Sequence, residues 1–194
     1  MAIPESDDQD LRCMERLKAG DDLALNELMQ RWKGPLVRFC QRYTGNTTDA
    51  LEMAQETFVR VYTARHRYRA EAAFSTWLFG IAANLGRMRS RWRMRHPEVL
   101  EADRDPEGKA PLVAMDANDP ALDMDRRAMV EDLSVAIREL PHDLRVVFVL
   151  SELEGHAHKQ TASILGITAK AVERRLARAR AQLRAMLENK WNCR

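Results

Sequence analysis

Cationic side chains at helical spacing mark the last third of this 194-residue sequence. Residues 159–178 favour a helix, a tight turn and a second helix that the Thr168 hydroxyl can cap. Apolar residues recur every three or four positions along the second helix and predict its buried side: Val172, Leu176, Ala179, Leu183 and Leu187. Lys170, Arg174 and Arg178 fall on other faces, where they could bind phosphates and base edges. The pattern is typical of a helix-turn-helix that binds duplex DNA, and the alternative is a solvated cationic face on an ordinary bundle helix.

A second basic segment covers residues 87–95, with an arginine at every second position and no acid. On a helix this alternation spreads charge around the cylinder, and the mutual repulsion is relieved by a polyanion. A membrane-surface helix would need a larger apolar face, so nucleic acid is the favoured partner. The alternative is a frayed, solvated helix end.

Aromatic residues and arginines alternate in the segment 66–74. Unpaired bases stack on aromatic rings while cations hold the backbone, so this composition suits single-stranded nucleic acid. It is equally compatible with a surface loop whose rings cover the edge of the core.

Polar groups elsewhere indicate no catalysis. Glu52, Gln55 and Glu56 share one helical face, which from the residues alone is a solvated acidic face. His156 and His158 are two positions apart and share no helical face, so we predict no metal site. The sequence has no glycine-rich phosphate loop, no nucleophile elbow and no paired acid and base, so we predict a non-enzymatic protein without a cofactor.

Leu, Ala, Met, Arg and Glu dominate the composition, and the fold class expected is all-α. In the helix that follows Asp22, the pair Gly34-Pro35 is expected to introduce a kink or break. Thr48 is a suitable cap for the next helix, whose inner face is expected to carry Leu51, Ala54, Phe58, Val61 and Tyr62. Further helices are predicted over 9–19, 74–95, 124–140 and 142–154.

Two small helical domains, residues 9–96 and 124–190, are expected on either side of a flexible acidic linker, residues 97–123. The linker carries four prolines and an excess of carboxylates, and its apolar periodicity disappears. The net charge is only +2, and the three cysteines are far apart, which favours reduced thiols. With no signal-peptide pattern and no apolar run of membrane-spanning length, we expect a cytoplasmic protein without membrane insertion.

Three blocks, in this order, resemble the extracytoplasmic-function (ECF) sigma factors, small sigma subunits of bacterial RNA polymerase. Residues 49–58 are similar to region 2.2, residues 74–84 to regions 2.3 and 2.4, and residues 140–183 to region 4. Related sequences commonly have arginine at the positions of Gly80 and Ala83. The resemblance implies a sigma factor that binds core polymerase, directs promoter-specific initiation and is controlled by an anti-sigma factor.

The resemblance also implies residue roles. Glu52, Gln55 and Glu56 match the positions that bind the β′ clamp helices of core polymerase, whose β subunit is a further expected partner. The residues expected to contact the −10 region of promoter DNA are Arg67, Tyr68, Arg69, Phe74, Trp77, Asn84, Arg87 and Arg91. Those expected to contact the −35 region are Lys170, Glu173, Arg174, Ala177 and Arg178.

Two rival interpretations come from the residues. A stand-alone helix-turn-helix regulator would bind duplex DNA without polymerase, but it leaves the residue 52–56 face and the basic segment 87–95 without a role. A helical adaptor acting only through protein contacts leaves both arginine-rich helices unexplained.

Overall fold

The computed structural model describes residues 8–96 and 124–192, so the predicted linker, residues 97–123, lies outside the described residues. The all-α fold class is confirmed. A 3₁₀ turn, Arg65–Arg67, follows the third helix, and a π-helical turn, Val149–Leu153, extends the sixth. The helices are α1 (Asp8–Lys18), α2 (Leu23–Thr44), α3 (Thr47–Thr63), α4 (Phe74–Arg95), α5 (Met124–Glu139), α6 (His142–Phe148), α7 (His158–Leu165) and α8 (Ala169–Asn192).

Local chemistry explains where several helices begin. The backbone N–H of Ala171 donates to Thr168 Oγ1 at 3.2 Å, which confirms the predicted cap of α8. The cap of α3 is Asn46, whose side chain accepts from the Asp49 N–H at 3.0 Å, so the prediction of Thr48 was wrong. The break expected at Gly34-Pro35 was also wrong, because α2 runs through a buried Pro35 without interruption. Proline keeps helical φ and removes only one backbone donor, and packing of the surrounding helix offsets that loss.

Trp32 of α2 lies at the centre of the N-terminal core and is fully buried. Its ring meets Phe74 and Phe79 edge-on, with centroids 6.1 and 6.3 Å away. Its indole N–H donates to the buried carboxylate of Asp10 at 3.1 Å, so α1 is tied to the core by a polar bond inside an apolar environment. These contacts hold α1, α2 and α4 in one bundle with α3.

The C-terminal bundle is built on the predicted apolar side of α8. Val172, Leu176, Ala179 and Leu183 are all buried, and Leu187 is partly buried. They pack against α5, α6 and α7, which leaves the opposite side of α8 exposed. The three- and four-residue spacing read from the sequence is therefore confirmed as the core face of this helix.

The two bundles pack against each other, and buried apolar residues form one continuous cluster across both. The Glu154 carboxylate, whose side chain is only 1% exposed, lies 3.3 Å from Arg38 Nε and 2.8 Å from Arg42 Nη1 of α2. Tyr43 Oη lies 2.7 Å from His142 Nδ1 across the same interface. Burial raises the pKa of Tyr43 to about 12, so its hydroxyl stays protonated and forms a hydrogen bond with the His142 imidazole.

Gly80 lies where α4 crosses α7. A Cβ at this position would be 3.1 Å from the carbonyl oxygen of Ile164. That distance is tighter than an ordinary van der Waals contact, so a side chain at this position would require the two helices to shift slightly. Glycine at position 80 therefore allows the two bundles to pack against each other as they do in this structure. We call this packing the closed arrangement.

Candidate nucleic-acid and partner interfaces

The exposed side of α8 carries a continuous stripe of polar and small residues. Its members follow the helical spacing i, i+3, i+4, i+7, i+8, and all are exposed: Lys170, Glu173, Arg174, Ala177 and Arg178. Core packing on the opposite side holds the backbone, so the stripe is presented on a rigid element. A helix displaying its N-terminal half in this way has the geometry to enter a major groove.

The basic segment of α4 divides into two groups. Arg89 donates to Glu52 at 2.7 Å and to the Asp49 carbonyl, and Arg93 pairs with the Asp49 carboxylate. These two arginines tie α4 to α3. Arg87 and Arg91 are exposed, and neither forms an ion pair with another described residue.

Asn84 lies one turn before Arg87 and is exposed, with its side-chain oxygen accepting a hydrogen bond from that guanidinium. Asn84, Arg87 and Arg91 thus lie on successive turns of α4. The sequence suggested one polyanion-binding segment, whereas the structure assigns alternate arginines to packing and to a free surface. The difference arises because α3 covers one side of α4.

Aromatic residues of the segment 66–74 form part of the core edge. Phe74 is fully buried and Tyr68 is 5% exposed, while Trp77 is partly buried and packs on Tyr68 with ring centroids 5.2 Å apart. Tyr68 Oη donates to the Ala72 carbonyl at 3.1 Å and holds the loop closed. Phe74 has no accessible ring face here, so we correct its expected role from base contact to core packing, and Tyr68 to loop support.

Arg67 and Arg69 flank Tyr68 and are both exposed. The buried tyrosine fixes the loop while the two guanidiniums remain available to a phosphate backbone. The interpretation of the rings as a cover for the core, which the sequence left open, is the one that the structure favours.

The predicted polymerase-binding residues Glu52, Gln55 and Glu56 are all exposed on α3. Arg89 donates to Glu52 at 2.7 Å, and Arg60 donates to Glu56 at 2.8 Å. Such solvent-exposed pairs contribute at most about 1 kcal/mol. An incoming partner can therefore replace them at little cost.

An apolar groove between α2 and α3, here called the α2–α3 groove, lies beside Gln55 and has a volume of about 750 Å³. Its rim exposes Leu23 (69%), Leu51 (49%) and Val59 (50%). The expectation that Leu51 faces inward was wrong. The groove was missed from the sequence, although Leu51, Gln55 and Val59 follow the i, i+4, i+8 spacing that places them on one face.

Two predicted DNA surfaces come together in the closed arrangement. Arg87 and Arg91 of α4 line the same cleft as Arg174 and Arg178 of α8. The arginines of the 66–74 loop and the exposed polar face of α3 do not line it. Contact between the bundles, which the sequence pattern alone did not reveal, produces this convergence.

Cys13 and Cys40 are free and buried. Burial raises the pKa of each thiol, which disfavours the reactive thiolate. Within residues 8–96 and 124–192, no helix combines the length and apolar character needed to cross a bilayer.

Comparison with known families matches both bundles. Residues 28–96 match the model of Sigma-70 region 2, and residues 131–183 match that of Sigma-70, region 4. The RNA polymerase sigma-H factor of Pseudomonas aeruginosa is 30% identical over 177 residues, which cover 89% of this chain and 91% of that protein. The chain belongs to the ECF sigma factors. It is accordingly a transcription initiation factor and not an enzyme, as predicted.

A further relative is named as a member of the same family, and two solved structures share the fold. The ECF RNA polymerase sigma-E factor of Haemophilus influenzae is 29% identical, covering 93% of this chain and 94% of that protein. The solved structure of CnrH in complex with the cytosolic domain of CnrY has a TM-score of 0.64 at 24% identity, covering 94% of this chain and 99% of that one. The sigma factor RpoE in complex with the anti-sigma factor NepR, from Bartonella quintana, has a TM-score of 0.59 at 22% identity, covering 84% and 96%.

Proposed function

We propose that this ECF sigma factor binds core RNA polymerase through α3 and the α2–α3 groove and reads promoter DNA with α4 and α8. The observation that carries the proposal is the exposed stripe of α8 in a chain that matches both sigma regions. The N-terminal bundle supplies the contacts to the −10 region, and the C-terminal bundle supplies those to the −35 region.

The surface proposed to bind polymerase combines polar side chains of α3 with an apolar groove. Gln55 lies at the edge of the apolar groove, with Glu52 and Glu56 on the same exposed face of α3. Burial of the exposed Leu51 and Val59 side chains supplies affinity, at roughly 25 cal/mol per Å² of apolar area. The carboxylates and the amide fix the orientation of the partner. We place the β′ clamp helices on this surface, with the β subunit as a further contact.

Promoter contacts divide into two groups. We propose that the contacts to the −10 region are made by Arg67, Arg69, Asn84, Arg87 and Arg91. The ring of Trp77 is partly exposed and can also contact this DNA. At the −35 region the α8 stripe enters the major groove, where Arg174 and Arg178 bind phosphates or guanine edges. Ala177 offers only a methyl group, which suits contact with thymine.

The closed arrangement must open for this function. Elements named −10 and −35 lie about 25 base pairs apart, or roughly 85 Å of duplex at 3.4 Å per step. Arg91 and Arg174 line one cleft in the structure, so they cannot reach both elements at once. Polymerase binding therefore separates the two bundles, and one chain then makes both contacts.

Control by an anti-sigma protein is part of the proposal. A sigma factor of the same fold, RpoE, was solved with the anti-sigma factor NepR, and CnrH was solved with the cytosolic domain of CnrY. A partner that binds the α2–α3 groove or holds the bundles closed would block polymerase and promoter together. We place the protein in the cytoplasm, where its polymerase acts.

Run-off transcription tests the proposal. Core polymerase plus this chain should give defined transcripts from a cognate promoter, and neither component should do so alone. Glu56→Lys should reduce core binding, whereas Glu15→Lys, the same charge reversal at an exposed position of α1, should not. Tight operator-specific binding by the isolated chain, with no effect of polymerase, would instead favour the stand-alone regulator.

A further inference from the structure

The cleft between α4 and α8 has the size and charge of an anion-binding site. It encloses about 490 Å³, within the range of small-molecule pockets. Arginines from both bundles line it together with the N-terminal turn of α6: Arg87 and Arg91 from α4, and Arg174, Arg175 and Arg178 from α8. We call it the interdomain cleft.

Among the described residues, little negative charge compensates the arginines of the interdomain cleft. Arg175 lies 3.3 Å from the Asp143 carboxylate. Arg87, Arg91, Arg174 and Arg178 form no ion pair with any residue in the described part of the chain. Arg89 and Arg93, by contrast, are compensated by Asp49 and Glu52, as described above.

The pKa of the neighbouring His142 is affected by the positive charge of the same arginines. Its pKa is lowered to about 4, mainly by burial; Asp143 opposes the shift, and the charges of Arg87, Arg145 and Arg175 add to it. Closing the two bundles brings like charges together, so the closed arrangement carries a repulsion that an anion in the cleft would relieve.

The geometry selects a compact, highly charged anion. Guanidinium groups bind phosphate oxygens in pairs, with stronger hydrogen bonds than neutral donors make. A volume of 490 Å³ equals a cube about 8 Å on a side, and a duplex whose major groove alone is roughly 12 Å wide is too large to enter it. Three linked phosphates carry about four negative charges, which balance four unpaired guanidiniums.

We propose that the interdomain cleft binds a triphosphate group, either inorganic triphosphate or the phosphate chain of a nucleoside triphosphate, through arginines of both bundles. Because its ligands come from both bundles, the anion favours the closed arrangement. It also occupies Arg91 and Arg174, which the proposed function assigns to DNA. Triphosphate therefore competes with promoter binding.

Isothermal titration calorimetry of the full chain tests the binding, with inorganic triphosphate as the probe and sulfate at equal ionic strength as the comparison. Arg91→Ala and Arg174→Ala should each weaken triphosphate binding about tenfold or more, the usual effect of removing a charged hydrogen-bond donor. Arg184→Ala, an exposed arginine of α8 outside the cleft, should change it less than twofold.

A second pair of variants distinguishes a built cleft from scattered surface arginines. Glu154→Gln and Gly80→Leu leave all cleft arginines in place but disturb the contact between the bundles. Both should weaken triphosphate binding about as much as Arg91→Ala does, while circular dichroism shows unchanged helix content. Unchanged affinity in both, or equal loss in all arginine variants including Arg184→Ala, would overturn the proposal.

Metal-free ATP in a parallel titration separates the two sources of the phosphate chain. Equal affinity for ATP and inorganic triphosphate supports recognition of the phosphates alone, and tighter ATP binding supports a nucleotide whose base contacts Met94 or Pro141. Binding of neither, or of sulfate equally well, refutes the site. Promoter binding by the chain together with core polymerase, measured in the absence of any nucleotide or triphosphate, tests the proposed function independently, so failure of one does not imply failure of the other.

Discussion

Glu154 joins the two bundles through a buried ion pair, and Glu154→Gln is the most direct test of whether that pair holds them together. The carboxylate is 1% exposed and compensates Arg38 and Arg42, whose side chains are 21% and 14% exposed. Removing one partner of a buried ion pair costs about 3–5 kcal/mol. We expect the lower value, about 3 kcal/mol, because both arginines can reach water and Arg42 still donates to the Leu153 carbonyl. That shifts the closed–open equilibrium roughly 100-fold toward open.

Glu152→Gln is a matched control. Glu152 lies two residues before Glu154, within the π-helical turn, and pairs with Arg180 at 2.6 Å, but these side chains are 33% and 60% exposed. Surface pairs of this kind contribute about 0–1 kcal/mol, so this variant should stay closed. The two substitutions make the same chemical change and differ in burial.

Small-angle X-ray scattering measures the outcome. A compact chain of this length has a radius of gyration of about 16 Å. Two halves of roughly 90 residues whose centres lie about 40 Å apart would give about 23 Å. Glu154→Gln should increase the radius while helix content by circular dichroism stays constant. If both variants keep the compact radius and the same amide exchange in α2, the buried pair does not hold the bundles together.

Four further outcomes are expected. Leu51→Ser should weaken core polymerase binding about tenfold by removing apolar contact area, whereas Met129→Ser, at similar exposure (51% against 49%), should not; equal losses in a pull-down would remove the α2–α3 groove from the interface. Arg174→Ala should reduce selection among −35 sequences by about 1–3 kcal/mol in competition binding, and uniform loss on every sequence would limit it to phosphate contact. The pKa of His142 is lowered to about 4 by burial, so the unfolded state takes up the proton first and the stability present above pH 6.5 should fall as pH drops toward 4; His142→Gln should flatten that slope in urea unfolding, and an unchanged slope would contradict the assignment. In a Cys193→Ser background, Cys40 should react with a thiol reagent only as fast as the chain unfolds, because burial raises its pKa, and rapid native-state labelling would count against it.

Helix positions were largely predictable because helical periodicity is a local property. The range 74–95 expected for α4 coincides with the observed helix, and Thr168 caps α8 as predicted. The exposed stripe of α8 follows from the same rule, since core residues on one side place the others toward solvent. Family resemblance in residues 49–58 was needed to single out the polar face of α3, which composition alone leaves as ordinary surface.

Side chains at the junctions of helices were less predictable. Phe74 is aromatic and follows arginines, which suits base stacking equally well, but the position of Trp32 makes it a core residue. Leu51 is apolar at a spacing that fits the inner face of α3, yet about half of its surface is exposed among the described residues. A spacing rule gives the angle of a side chain about its own helix and carries no information about which angles another helix covers.

The amino-acid sequence by itself determined most of the helices, the Thr168 cap and the polar stripe on α8, because each depends on residues within a few turns of one another, and the resemblance of three sequence blocks indicated the two sigma regions. Only the tertiary structure decided that Glu154 meets Arg38 and Arg42, that Gly80 permits α4 to cross α7, and that two DNA-binding surfaces share one cleft. Those contacts join residues more than 80 positions apart in the chain, and their formation depends on how whole helices pack, which no local pattern of residue types specifies.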